Sequence, residues 1–214
     1  VLRVSFFYLT GAVYDSLATI DIDYLIGFVG YNSINASGFT LGTVTLSGGA
    51  GADSLYGGSG DDSLDGGAGD DTIIQSGDIN QTLTDSSLTG KGTDTLASVE
   101  NATLTGGDSA NTIDASAFTG SVNLTGGLEA DVLTGGTGAD TLTGGAGADI
   151  LTGGGGADVI DGGADDDQLS IGDATFADVD GGAGTDSLAI TGSAVSLDLT
   201  AVAAEDLTNI ESID

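Results

Sequence analysis

Single apolar residues recur every nine positions in two stretches of the chain. Leucine or isoleucine stands at the eighth position of each nine-residue unit. Successive side chains of a strand point to opposite faces, so one such residue per unit predicts a minimal strand with one buried side chain. The predicted inward residues are Leu55, Leu64, Ile73, Leu133, Leu142, Leu151, Ile160, Leu169 and Leu188.

The same units carry a regular pattern of glycine and aspartate. Three units follow one another from Gly48, five from Gly126, and a ninth begins at Gly181. All nine have Gly-Gly at positions one and two and Asp at position six, and seven have Gly at position four. Glycine permits positive φ and close approach of backbones, so six residues can turn sharply between two short strands. Two units then make one coil of 18 residues, with coils stacked at about 4.8 Å.

A longer repeat surrounds these blocks. DSLATID from Asp15 matches DTLASVE from Asp94, and SINASGF from Ser33 matches TIDASAF from Thr112, both at an offset of 79 residues. A third linking unit begins near the C-terminal end and stops partway, at Asp214. We therefore expect the natural chain to continue, or a second molecule of the protein to supply the continuation. The predicted divisions are an aromatic-rich N-terminal linking or capping unit at 1–47, a first nonapeptide block at 48–74, a second linking unit of irregular β coils at 75–125, a second block at 126–189 and the start of a third linking unit at 190–214.

The charge of the chain is strongly negative. Against 33 acidic residues there are only two basic ones, and the formal net charge is −31. A compact chain must overcome this self-repulsion, so we expect a cation as partner and neither nucleic acid nor an anionic membrane. Disorder is the alternative for a Gly-rich acidic chain, but the regularly spaced apolar residues favour a buried core. No apolar stretch is long enough to predict a membrane span.

Catalysis is not expected from this chain. Paired aspartates serve as acid and base in glycosidases, but here every aspartate of the motif is one of a series of copies. The chain has no His, no Cys and a single lysine, Lys91, which leaves few candidates for a general base or a nucleophile.

The pattern GGxGxDxUx resembles the calcium-binding repeat of the repeats-in-toxin (RTX) family. This resemblance implies an all-β parallel β-roll, a β-solenoid in which each turn lies above the turn two repeats earlier, with Ca²⁺ as the cofactor. Ca²⁺ takes six to eight oxygen ligands, which stacked carboxylates and glycine carbonyls can supply. The implied carboxylate ligands are those of Asp53, Asp62, Asp71, Asp131, Asp140, Asp149, Asp158, Asp167 and Asp186. The implied carbonyl ligands belong to Gly49, Gly51, Gly58, Gly60, Gly67, Gly69, Gly127, Gly136, Gly138, Gly145, Gly147, Gly154, Gly156 and Gly163.

Stacking in this order pairs some aspartates and leaves others without an obvious partner. The complete pairs are Asp53 with Asp71, Asp131 with Asp149, Asp140 with Asp158, and Asp149 with Asp167. Asp62 and Asp186 have less obvious partners, and Glu129 and Asp165 replace the fourth-position glycine of their units. Asp61, Asp70 and Asp166, at position five, are expected to face solvent.

The resemblance and the repetition together suggest an extracellular role at a bacterial surface. We expect a calcium-dependent structural repeat protein, such as a surface-layer, matrix, filament or adhesin subunit, which folds on Ca²⁺ binding after type I secretion. The alternative is a non-catalytic folding and secretion module of a larger hydrolase or toxin. Repetition over 79 residues favours the structural role.

Aromatic residues are concentrated at the N-terminal end. Such a segment either caps the open end of a solenoid or forms a contact between chains. A head-to-tail contact of that kind would build an open filament. Eight of the eleven aromatic residues lie within the first 39 positions: Phe6, Phe7, Tyr8, Tyr14, Tyr24, Phe28, Tyr31 and Phe39.

Overall fold

The computed structural model describes residues 24–38, 42–173, 176–192 and 207–214, together with the backbone of four short strands nearer the N-terminus. The described residues form strands and turns with no helix, so the predicted all-β class is confirmed. None of them belongs to a helix that could span a membrane. Phe6, Phe39 and residues 193–206 lie outside the described residues, as do the side chains of Phe7, Tyr8 and Tyr14.

The strands are short and are numbered here in chain order. Up to residue 105 they are β1 Arg3–Val4, β2 Phe7–Tyr8, β3 Tyr14–Ser16, β4 Asp21–Ile22, β5 Tyr24–Ile26, β6 Ser33–Asn35, β7 Thr45–Ala50, β8 Ser54–Tyr56, β9 Ser63–Ala68, β10 Thr72–Ser76, β11 Gln81–Thr84, β12 Ser87–Thr89, β13 Thr93–Ala97 and β14 Asn101–Thr105. Beyond residue 105 they are β15 Thr112–Ala117, β16 Ser121–Gly127, β17 Val132–Thr134, β18 Thr141–Ala146, β19 Ile150–Thr152, β20 Val159–Ala164, β21 Gln168–Ile171, β22 Asp178–Ala183, β23 Ser187–Ile190, β24 Leu207–Thr208 and β25 Ser212–Ile213.

Two compact units divide the chain. The first comprises residues 1–75 and 82–103, and the second comprises residues 76–81 and 104–214. In the first unit, parallel pairing joins β3, β6, β8 and β10 in one sheet and β2, β5, β7, β9 and β13 in another. Strands that follow one another in the nonapeptide block therefore alternate between two sheets, as a solenoid requires.

The second unit repeats this arrangement over more coils. One sheet has the order β16–β18–β20–β22–β24, and the other has the order β15–β17–β19–β21–β23–β25. Leu142 pairs with Ile160, and Leu151 pairs with Leu169, so equivalent residues are 18 positions apart. The predicted coil of two nonapeptides is therefore confirmed.

The linking segment between the nonapeptide blocks departs from the parallel pattern. Leu83 of β11 lies opposite Leu88 of β12, and Leu88 lies opposite Asp94 of β13, both in antiparallel register. The two residues Asp85 and Ser86 connect β11 to β12. Such a short connection is possible only between antiparallel strands. The irregular coils predicted for this segment therefore include an antiparallel hairpin that the sequence pattern did not predict.

One apolar side chain per short strand fills the interior. Every predicted inward leucine or isoleucine is at most 1% exposed, so the predicted core is confirmed. The linking segments contribute further buried residues, among them Leu83, Leu104 and Phe118. Each coil supplies few apolar groups, so the free energy gained by burying them is small. The stability of the fold therefore also depends on the contacts made in the turns.

Candidate metal centre

The position-six aspartates are buried in the turns that precede the short strands. Their side chains are between 0% and 3% exposed in all nine units. An ionised carboxylate is costly to remove from water unless it is hydrogen-bonded and paired with a cation. The partners of these carboxylates therefore decide what the turns can do.

One carboxylate oxygen of each stacked aspartate holds the turn of the preceding coil. In the second unit, the backbone N–H of Asp131 donates to Oδ1 of Asp149 at 2.7 Å, that of Asp149 to Asp167 at 2.7 Å, and that of Asp167 to Asp186 at 2.8 Å. These bonds form a continuous column, which we call the long ladder. It brings together two of the predicted pairs and gives Asp186 a partner.

The first unit contains a shorter column of the same kind. The backbone N–H of Asp53 donates to Oδ1 of Asp71 at 2.7 Å, as the predicted pairing requires. We call this column the short ladder. On the other edge of the first unit, the N–H of Asp62 donates to Oδ1 of Asp94 at 2.9 Å.

A further column lies on the other edge of the second unit. The backbone N–H of Asp140 donates to Oδ1 of Asp158 at 3.0 Å, so the fourth predicted pair is also stacked. The carboxylate of Asp140 has a second contact, because Gly136 N–H donates to its Oδ2 at 2.7 Å.

The second carboxylate oxygen is buried without a hydrogen bond in most of the turns. An oxygen of this kind, inside a turn and without a donor, is available to a ligand that accepts its lone pairs, such as a cation. Among the described residues these oxygens are Oδ2 of Asp53, Asp62, Asp71, Asp131, Asp149, Asp167 and Asp186.

The position-one glycines leave room for this oxygen. A Cβ built on Gly144 would collide with Oδ2 of Asp149 and would lie 2.5 Å from the carbonyl oxygen of Gly162 in the next coil. The same pair of contacts recurs at Gly48, which meets Asp53 and the carbonyl of Gly66. The unpartnered oxygen and a carbonyl of the next coil thus approach the same point, and only glycine fits there.

Several position-two glycines direct their carbonyl oxygens along the stack. A Cβ on Gly145 would collide with the carbonyl oxygen of Gly127, and one on Gly163 would collide with that of Gly145. Other carbonyls are partly engaged, since Gly136 and Gly154 accept backbone N–H groups of the next coil at 3.1 Å and 2.7 Å.

Left-handed backbone conformations explain most of the remaining glycines. At position four, the carbonyl oxygens of Gly51, Gly60 and Gly138 lie where a Cβ on Gly69, Gly92 or Gly156 of the next coil would be placed. Positive φ is found at Gly49, Gly58, Gly67, Gly127, Gly145, Gly154 and Gly163 of position two, and at Gly51, Gly69, Gly147 and Gly156 of position four.

The two residues that replace a fourth-position glycine adopt different backbone conformations. Asp165, which replaces a fourth-position glycine, adopts the left-handed φ of 79° that glycine has elsewhere, whereas Glu129 does not. The position-five aspartates are exposed, as predicted. Asp61 and Asp166 nevertheless bind neighbouring coils, because they accept the backbone N–H groups of Thr93 and Thr185 at 2.8 Å.

Burial makes these carboxylates harder to ionise. Burial, with smaller contributions from the carboxylates of Asp167 and Asp131, raises the pKa of Asp149 to about 6. Burial and the carboxylates of Asp186 and Asp165 likewise raise the pKa of Asp167 to about 6. Burial is also the main reason that the pKa values of Asp62, Asp71, Asp131, Asp140 and Asp158 are raised.

The donor set fits an oxygen-seeking cation such as Ca²⁺. Within the described residues no three carboxylates converge as a metal cluster, so carboxylates alone could not enclose an ion. The turns instead offer stacked carboxylates beside carbonyl oxygens. Ca²⁺ accepts this mixture of hard oxygen donors, whereas Zn²⁺ in structural sites prefers thiolate and imidazole, which the chain lacks.

Five residues of the linking segments extend the columns and were missed in the sequence analysis. Asn32 and Asn111 precede the first aspartates of the two ladders, and their N–H groups donate to Asp53 and Asp131 at 2.7 Å. Glu100 and Glu211 follow the last aspartates, and Asp94 follows Asp62. The offset of 79 residues places Asn32 on Asn111, and Val/Ile-Glu recurs at 99–100 and 210–211, so repetition in the linking segments was the signal that could have found four of the five.

Comparison with known proteins agrees with this site. A search of curated proteins found no relative that matches this chain. The family model described as the RTX calcium-binding nonapeptide repeat (4 copies) matches residues 45–73, 125–160 and 134–169. These ranges contain most of the stacked aspartates. The match and the stacked glycine–aspartate turns therefore show that the chain contains RTX calcium-binding nonapeptide repeats.

Proposed function

We propose that this chain binds Ca²⁺ in its stacked turns and that binding drives the solenoid to fold. The observation that carries the proposal is the row of buried, unpartnered Oδ2 atoms in the ladders. Repeats of the matched family bind calcium. The proposed ligands are the nine position-six carboxylates with the carbonyl oxygens of the position-two and position-four glycines, joined by the position-one carbonyls that approach the unpartnered Oδ2 atoms.

Binding and folding are coupled because the ligands come from different coils. Asp131 and Asp149 are 18 residues apart and meet only when two coils are stacked. In the unfolded chain no such site exists, so the binding free energy becomes folding free energy. The net charge of −31 is a second reason for folding to require Ca²⁺, since bound cations reduce the repulsion between turns.

The test of this proposal is the number of bound ions. Equilibrium dialysis of the full chain against Ca²⁺ at neutral pH should give at least four ions per chain, one for each stacked pair predicted from the sequence. Dialysis against the same concentration of Mg²⁺ is the control, because Mg²⁺ demands a smaller octahedral shell. A chain that binds no Ca²⁺ would overturn the proposal.

We further propose that the folded chain is a calcium-dependent structural repeat protein outside the bacterial cell, of the surface-layer, matrix, filament or adhesin kind. RTX repeat proteins are typically secreted by bacteria, and their β-roll is typically non-catalytic. The two units contain ladders of the same plan, and this repetition within one chain supports the structural role. Electron microscopy of native material tests it: ordered filaments or sheets support the role, and a monomer joined to a globular catalytic domain supports the secretion module instead.

An exposed apolar patch supports self-association. Phe28, Val29 and Tyr31 are 42%, 84% and 77% exposed and lie just before Asn32, at the start of the short ladder. Exposed aromatic and aliphatic side chains bury a large area at small entropic cost when two chains meet. We infer that this patch forms the contact between chains in the proposed filament.

Light scattering in Ca²⁺ tests the patch. The double variant Val29→Ser and Tyr31→Ser should lose assembly and keep its fold. Leu128→Ser is the control, because Leu128 is an exposed apolar residue elsewhere, at 59% exposure. A monomeric wild-type chain, or unchanged assembly of the double variant, would contradict this inference.

A further inference from the structure

The two ladders end in the same way although they differ in length. The short ladder ends where the N–H of Asp71 donates to Oε2 of Glu100 at 2.9 Å. The long ladder ends where the N–H of Asp186 donates to Oε2 of Glu211 at 2.6 Å. Four glutamates occur in the whole chain, against 29 aspartates, and two of them occupy these equivalent places.

The segments that carry these glutamates share a sequence and a backbone conformation. Leu96-Ala-Ser-Val-Glu100 and Leu207-Thr-Asn-Ile-Glu211 both fit the pattern Leu-x-Ser/Asn-Val/Ile-Glu. Ser98 and Asn209, two residues before each glutamate, both have a φ of 51°. Left-handed φ is uncommon for residues other than glycine, so two matching cases indicate the same constraint at both ends.

Ser98 and Asn209 place their carbonyl oxygens at the point that, inside a ladder, is occupied by a glycine carbonyl of the next coil. Inside the long ladder, a Cβ on Gly162 would lie 2.5 Å from the carbonyl oxygen of the next position-one glycine, Gly181. At the end of that ladder, a Cβ on Gly181 would instead meet the carbonyl oxygen of Asn209. At the end of the short ladder, a Cβ on Gly66 would meet the carbonyl oxygen of Ser98 in the same way.

The use of glutamate follows from the length of the segment. Within a nonapeptide, the position-six aspartate lies five positions after the glycine that supplies the position-one carbonyl. In the closing segments the glutamate lies only two positions after Ser98 or Asn209, whose carbonyl takes that place. The additional methylene of glutamate lets the carboxylate reach the backbone N–H that an aspartate reaches from the longer turn.

Each end also retains an unpartnered oxygen. Asp71 and Asp186 are 0% and 1% exposed, and their Oδ2 atoms have no hydrogen bond among the described residues. A Cβ on Gly66 would lie 2.5 Å from Oδ2 of Asp71, so this oxygen and the carbonyl of Ser98 approach one point. The ends therefore offer the same three kinds of oxygen as the interior of a ladder.

We propose that Leu-x-Ser/Asn-Val/Ile-Glu is a closing motif that completes the last Ca²⁺ site of each ladder. Glu100 and Glu211 supply the carboxylate, and Ser98 and Asn209 supply the carbonyl, that a further nonapeptide would have contributed. This proposal rests on the proposed calcium function. It adds a site to the end of each ladder, where the nonapeptide pattern alone predicts none.

The test is a count of bound Ca²⁺ in Glu100→Gln, Glu211→Gln and the double variant. Glutamine keeps the carbonyl oxygen that accepts the N–H of Asp71 or Asp186 but removes the charge, so a purely structural cap would be preserved. Each single variant should bind one ion fewer than wild type, and the double variant two fewer. Asp70→Asn is the matched control, because Asp70 is an exposed carboxylate beside Asp71 in the same turn. It should bind the full complement.

Circular dichroism during Ca²⁺ titration gives a second measurement in case a variant unfolds. The Ca²⁺ midpoint should rise by about tenfold for each glutamine variant, the effect of losing a charge-assisted interaction, and should be unchanged for Asp70→Asn. A wild-type chain that binds no Ca²⁺ would overturn the calcium function itself. A wild-type chain that binds Ca²⁺, with glutamine variants of equal stoichiometry and equal midpoint, would overturn the closing motif alone.

Discussion

The short and long ladders share a plan and differ in the number of aspartates they contain. The short ladder has Asp53 and Asp71 between Asn32 and Glu100. The long ladder has four aspartates between Asn111 and Glu211. The ends are thus constant, whereas the number of nonapeptides between them varies.

This difference shows how charge accumulates with length. Inside the long ladder, Asp149 has a carboxylate in the coil before it and another in the coil after it, and its pKa is raised to about 6. In the short ladder, Asp53 has the neutral amide of Asn32 on one side and only Asp71 on the other. Adding nonapeptides therefore adds buried like charges, which a bound cation or protonation can offset, so we expect the longer ladder to depend more on Ca²⁺.

The largest expected effect comes from removing an interior carboxylate of the long ladder. Asp149→Ala removes a partner from both Asp131 and Asp167, so it should raise the Ca²⁺ midpoint of folding by roughly tenfold or more. Asp53→Ala, in the short ladder, should raise it less, and Asp70→Ala, at an exposed site, should leave it unchanged. The measurement is circular dichroism during Ca²⁺ titration; equal midpoints for Asp149→Ala and Asp70→Ala would rule out the ladder as the binding site.

A methyl group at position one should have a similar effect in both ladders. Gly144→Ala and Gly48→Ala each place a Cβ against the unpartnered oxygen of an aspartate and a carbonyl of the next coil. Each should destabilise the calcium-bound fold by about 1–3 kcal/mol. Gly155→Ala is the control, since its Cβ would meet only Asp173 Oδ2 at 3.5 Å. Thermal unfolding in saturating Ca²⁺ measures all three, and an undisturbed Gly144→Ala would contradict the described geometry.

Acid should partly replace calcium, with a smaller effect. The folded-state pKa values of Asp149, Asp167 and Asp94 are raised by burial from 3.8 to about 6. Between about pH 6 and pH 4 the folded chain therefore holds protons that the unfolded chain does not, so the stability of the metal-free fold rises as pH falls and is lost as pH rises through 6.

Circular dichroism without calcium checks this expectation. The β signal at pH 5 should exceed that at pH 7. Affinity for Ca²⁺ should fall over the same range, because protons compete for the carboxylates. A metal-free chain whose β signal is independent of pH would contradict the raised pKa values.

The regular part of the molecule could be predicted from the sequence, because one coil repeats every 18 residues. That period gave the inward leucines, the two-sheet solenoid and the stacked aspartate pairs. The same period does not predict which residues end the ladders. Asp71 and Glu100 are 29 residues apart, and Asp186 and Glu211 are 25 apart, because linking segments of different length intervene.

The type of side chain is a second reason that the ends of the ladders could not be predicted. The nonapeptide pattern contains aspartate, whereas each ladder ends with a glutamate from a shorter segment and begins with an asparagine. The antiparallel hairpin of β11 and β12 interrupts the parallel register for a similar reason: a two-residue connection at Asp85 and Ser86 is a local feature that a long-range period does not encode.

The dependence of the fold on calcium is the central claim, and the far-ultraviolet circular dichroism of the full chain tests it most directly. In excess chelator at neutral pH the spectrum should be that of a disordered chain, because the buried carboxylates of both ladders repel one another without a cation. Addition of Ca²⁺ should produce a β spectrum, and an equal concentration of Mg²⁺ should produce much less. A β spectrum in excess chelator equal to that in Ca²⁺ would contradict the account.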